Sequence, residues 1–76
     1  MSYLDIVASF CRREAAAEKS IVFSSGIELW MGTKKIAHWT EREVIVSGGI
    51  FNKKECKLLK MLLCVAEASG IKVVEE

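Results

Sequence analysis

Residues 27–40 read IELWMGTKKIAHWT. Both tryptophans and the single histidine of the chain fall inside this stretch. β-Branched and aromatic residues stand in short runs on either side of Met31-Gly32-Thr33-Lys34, which is turn chemistry. The stretch therefore reads as two strands, 27–31 and 35–40. Polar breaks at Ser24-Ser25-Gly26 and at Thr40-Glu41-Arg42-Glu43 bound it, and beyond them lie two further runs, 20–24 and 43–47. Four short strands joined by short turns make an antiparallel meander.

Helical patterns flank the meander. In SYLDIVASFCRREAAAEK, Ser2 and Asp5 have the spacing of a capping box. Leu4, Val7, Phe10 or Cys11, and Ala15 then recur at helical intervals. The alanines at 15–17 favour helix and leave a slim packing face, so a helix is expected from Tyr3 to Glu18. In GGIFNKKECKLLKMLLCVAEASG, Asn52 and Glu55 form a second capping box. Leu58, Leu59, Leu62, Val65, Ala66 and Ser69 line one face, and Gly70 is the expected left-handed stop. IKVVEE closes the chain as a strand. The expected fold is α+β in two layers: helix, antiparallel meander of three or four strands, helix, short C-terminal strand. Both helices lie on one face of the sheet, and residues 1–76 form a single domain.

Two-residue turns at Ser25-Gly26, Gly32-Thr33 and Glu41-Arg42 fix which side chains share a face. One face then carries Ile21, Phe23, Trp30, Ala37, Trp39, Val44 and Val46. The other carries Val22, Ile27, Leu29, Met31, Ile36, His38 and Ile45, rimmed by Ser20, Ser24, Lys34, Glu43 and Ser47. Both faces are apolar, and two helices can cover only one. The aromatic face suits the alanine-rich first helix. Val22, Ile27, Leu29, Met31, Ile36, His38 and Ile45 are then left as an open surface with a polar rim, which is how an interface is built. A slip of one residue in any turn exchanges part of these lists. The tryptophans read first as core, and otherwise as interface anchors or, with Lys35 between them, as a stacking platform.

Composition narrows the function. The chain is half hydrophobic, lacks proline and carries a net charge of +1, which gives no long-range steering toward nucleic acid or anionic membrane. No apolar run is long enough to span a bilayer, and the opening MSYLDIVASF carries acid where a secretory leader carries base. Cys11, Cys56 and Cys64 are odd in number and lack a C-x-x-C spacing. They read as free thiols of a cytoplasmic protein. No metal ligand set, cofactor motif, phosphate loop or catalytic constellation is present, and His38 has no acid nearby except Glu41 and Glu43 on a turn. A domain this small leaves little room for an enclosed small-molecule pocket. The chain is read as a non-enzyme.

Lys53, Lys54, Lys57 and Lys60 all fall in the first half of the second helix, where cations oppose the helix dipole at roughly 0.3–1 kcal/mol each. They are a candidate phosphate-binding stripe, against the plain reading of a solvated face. With the order helix, meander, helix, the cluster NKKECK resembles the start of the second helix in double-stranded RNA-binding domains. The resemblance implies phosphate contacts from Lys53, Lys54 and Lys57. It covers those features alone. The loop between the first two strands is too short to reach a minor groove, and LLKMLLCV replaces the alanine-rich stretch expected there. The leading expectation is a non-catalytic interaction or regulatory module that forms a homodimer or docks on a larger protein through its apolar sheet face. The alternative is a small nucleic-acid binder.

Overall fold

The computed structural model describes residues 2–17 and 21–76. Its order is α1 (Tyr3–Cys11), β1 (Ala15–Ala17), β2 (Val22–Ser25), β3 (Glu28–Met31), β4 (Lys34–Trp39), β5 (Glu43–Val46), α2 (Lys53–Ala68) and β6 (Lys72–Glu75). The six strands form one sheet in chain order, β1 to β6. The first five are successively antiparallel, and α2 carries the chain over so that β6 runs parallel to β5. The fold is the expected α+β arrangement with a longer meander. Glu18 and Ser20, to which the expected first helix and first strand extend, lie outside the described residues.

The first helix is shorter than its alanines suggest. It starts as expected: the Ser2 hydroxyl accepts from the Asp5 amide, and the Asp5 carboxylate accepts from the Ser2 amide. That backbone hydrogen bond from Ser2 holds the Asp5 carboxyl below its ordinary pKa. The helix ends at Cys11 because Arg13 takes a left-handed conformation, φ 59°. The Arg13 amide then donates to the Phe10 carbonyl and the Glu14 amide to the Ser9 carbonyl, which closes a Schellman motif without glycine. Ala15–Ala17 leave the helix and pair with Phe23–Ser25 of β2. Their intrinsic helical preference amounts to a few tenths of a kcal/mol each, and the hydrogen bonds of an added strand outweigh it. Ser24 fastens this corner: its buried hydroxyl donates to the Glu14 carbonyl (3.0 Å) and accepts from the Gly26 amide (3.1 Å).

The second helix follows its sequence closely. Asn52 and Glu55 exchange side chain-to-backbone hydrogen bonds at 2.8 and 2.9 Å. Gly70, at φ 72°, terminates the helix while the Ile71 amide donates to the Ala66 carbonyl. Leu58, Leu62 and Ala66 are fully buried. They join Ile6, Val7 and Phe10 of α1 in one core with Val22, Leu29, Met31, Ile36, Ala37, Val44 and Val46 of the sheet. Both helices therefore cover the same face.

The sheet register departs from the expected one at two places. Phe23 pairs with Trp30 and Ser24 with Leu29, so the β2–β3 turn is Gly26-Ile27 and sits one residue later than Ser25-Gly26. The Ser25 hydroxyl, accepting from the Glu28 amide at 3.1 Å, holds that position. In β4, Lys35 pairs with Trp30 but Ala37 pairs with Leu29, which leaves Ile36 as an extra residue, a β-bulge. Ile36 and Ala37 consequently both point into the core, and every residue after them changes face.

Candidate functional site

The bulge redistributes the expected interface. Val22, Leu29, Met31 and Ile36 belong to the core under the helices, with Val22, Leu29 and Ile36 fully buried. This corrects the expectation that they line an open surface. Ile27 lies in the β2–β3 turn, 59% exposed. Of the seven, only His38 and Ile45 stand on the helix-free face, paired with each other and, for His38, with Glu28. The turn at Glu41-Arg42 is as expected, with Trp39 opposite Val44.

The same bulge separates the tryptophans. Trp39 lies on the helix side. Its indole Nε1 donates to the Phe10 carbonyl at 2.7 Å, at the C-terminus of α1, and its ring lies 6.2 Å from that of Phe10. The Arg13 guanidinium sits 4.3 Å over the indole and donates to the carbonyls of Thr40 and Glu41 at 3.2 and 2.7 Å. Arg13 and Trp39 together tie the helix end to the β4–β5 turn. Trp30 faces the other way, parallel to Phe23 at 6.2 Å.

The open face can be followed from strand to strand, because paired residues share a side. Ala17, Phe23, Trp30 and Lys35 form one row, and Glu28, His38, Ile45 and Val74 form the next. Phe23 is 37% exposed, while Trp30, His38, Ile45 and Val74 are partly exposed. Charges border this apolar centre in pairs of opposite sign: Lys35 with Glu28 and Lys72 with Glu43, each at 3.8 Å. The His38 Nδ1 is buried and makes no hydrogen bond.

Lys53, Lys54, Lys57 and Lys60 are all exposed on α2, and none enters an ion pair among the described residues. Lys34 behaves differently. It lies 3.5 Å from the nearly buried Glu55, 4.5 Å over the Phe51 ring, and donates to the Ile50 carbonyl at 2.5 Å. It thus fastens β4 to the start of α2.

A hollow of about 210 Å³ lies between the β5–α2 loop and β6, lined by Val46, Ser47, Gly48, Gly49, Phe51, Leu59, Glu75 and Glu76. Ligand sites usually measure roughly 300–1,000 Å³, so this hollow is small for one. Cys11 is buried, which pushes its thiol pKa up, and Cys56 and Cys64 are exposed and free. Among the described residues no group of three or more His, Cys, Asp or Glu is placed to hold a metal ion. No helix among them is long and apolar enough to cross a membrane. Compared with known proteins, the chain matches no family model, and no curated protein or solved structure is significantly similar to it.

Proposed function

We propose that this chain is a non-catalytic protein–protein interaction module that self-associates through the helix-free face of its sheet. The observation that carries the reading is the apolar centre formed there by Phe23, Trp30, Ile45 and Val74. An antiparallel sheet with a solvated face is ordinarily polar on that side. A second copy fits the electrostatics. Each border pair holds one acid and one base, so the face is close to neutral and two copies related by a twofold axis meet without like-charge excess. The three thiols suit a reducing compartment, and a regulatory role in the cytoplasm is part of the proposal.

Trp30→Lys is the direct test. Trp30 lies outside the core cluster, so the variant retains the fold by circular dichroism, while light scattering shows the mass per particle reduced twofold. Equal masses for variant and parent across concentration would overturn the reading.

A second reading is favoured by the four lysines of α2, which enter no ion pair among the described residues and fit phosphate of a nucleic acid. Glutamine at 53, 54, 57 and 60 removes the charge and keeps good helix formers. On the interaction reading the quadruple variant folds at least as stably as the parent, by up to about 1 kcal/mol as the opposition to the dipole is relieved, and neither protein binds duplex nucleic acid at low salt. Parent binding that falls steeply with salt and is lost in the variant would place nucleic-acid recognition first.

A further inference from the structure

We infer that β6 is a second docking edge, and that its occupant is the β6 of another copy of this chain, paired antiparallel about a twofold axis at Val74. Among the described residues no strand lies beyond β6. The phase of its backbone is fixed by one bond: the Glu76 amide donates to the Val46 carbonyl at 3.0 Å. Successive residues of a strand direct their amides and carbonyls to alternate sides, so Glu76, Val74 and Lys72 turn toward β5. Val73 and Glu75 present their N–H and C=O groups outward.

A twofold axis perpendicular to the sheet keeps each face continuous, so residues opposite one another must lie on the same face. Centring the axis on Val74 meets this condition. Val73 then stands opposite the second copy's Glu75 and exchanges both backbone hydrogen bonds with it. The symmetric pair does the same, making four bonds from four outward groups on each chain. Lys72 stands opposite the second copy's Glu76 in a non-hydrogen-bonded pair, where side chains come closest. Cross-strand pairs of opposite charge at such positions are favourable, and the symmetry supplies two of them.

Charged residues on an edge strand usually discourage pairing with other chains. Here Lys72 and Glu76 are spaced so that only this antiparallel register satisfies both. The join also brings Val74 beside its own copy on the open face, so the apolar row Ile45–Val74 continues from one sheet into the other. This edge is separate from the interface that Trp30 marks, and the two symmetry axes are compatible with four chains arranged as two stacked sheets.

The test is a charge exchange read by light scattering and by amide hydrogen exchange. Lys72→Glu and Glu76→Lys each set like charges opposite one another, and each is expected to halve the mass per particle. Lys72→Glu combined with Glu76→Lys restores the pairs and the parent mass. In the parent, the amides of Val73 and Glu75 exchange slowly. In either single variant they exchange at least tenfold faster, while core amides such as that of Leu62 are unchanged. The Trp30→Lys protein still assembles through β6, so failure of the edge and failure of the face are read separately. Single variants with the parent mass, a double variant that stays dissociated, or fast exchange at Val73 and Glu75 in the parent would overturn the assignment. Glu76→Lys, at an exposed position, keeps the test decisive if Lys72→Glu disturbs the fold through its loss of Glu43.

Discussion

Leu29→Asp unfolds the chain; it does not release a folded monomer. Leu29 is fully buried between Ser24 and Ala37 in the sheet and belongs to the core that both helices share. An aspartate there loses the transfer energy of leucine, about 1.5–3 kcal/mol, and buries a carboxylate without a partner at a further cost of several kcal/mol. A domain of this length has roughly 4–11 kcal/mol of stability in total. Ile36→Asp has the same outcome for the same reason. Far-UV circular dichroism at ambient temperature reads the result directly. A folded, monomeric Leu29→Asp protein would return Leu29 to an open face and remove the bulge from the account.

Trp39→Ala costs about 3–5 kcal/mol, the range for emptying a large aromatic site, while Trp39→Phe costs about 1–3 kcal/mol. Phenylalanine keeps most of the contact with Phe10 but leaves the Phe10 carbonyl without its indole donor. It also gives Arg13 a poorer ring to cover. Arg13 holds a left-handed backbone that costs a non-glycine residue about 1–2 kcal/mol, and its bonds to Thr40 and Glu41 offset that cost. Trp39 and Arg13 therefore act as one unit. Denaturant unfolding of Trp39→Phe, Arg13→Ala and the double variant should give a sum of single effects larger than the double effect, by at least 0.5 kcal/mol. Strict additivity would mean that the cation over the indole contributes nothing.

These residues also mark where reading the sequence succeeds and where it stops. Local chemistry is legible. The capping boxes at Ser2 and Asn52, the left-handed stop at Gly70, and the turns at Gly32-Thr33 and Glu41-Arg42 each depend on residues within a few positions of one another. The end of α1 is not legible, because its signal is an arginine whose stabilising partners lie 27 and 28 positions away. The bulge is hidden for another reason. Ile36 and Ala37 are both apolar, so the pair looks the same whether the strand alternates through it or doubles one side. That ambiguity, together with the expectation that the alanine-rich first helix covers the aromatic face, assigns Trp30 to the core and Leu29 to the open surface. The existence of an uncovered apolar face was legible from the excess of hydrophobic residues over what two helices can cover. Its membership is not: of the seven residues expected there, His38 and Ile45 lie on the helix-free side.

The order of strands across the sheet never departs from their order along the chain. Each strand from β2 to β5 can pair with the one made just before it, at the small entropic cost of closing a short loop, while β6 waits for α2 to carry the chain across. Such an order makes most strand contacts local, which favours fast folding, and with no proline in the chain no prolyl isomerisation slows it. The helices do not follow this rule. Ile6, Val7 and Phe10 of α1 are synthesised first, yet part of their cover is Leu58, Leu62 and Ala66 of α2, some fifty residues later. The earliest helix is the last to be sealed. Until α2 docks, the helix side of the sheet has only α1 to cover it.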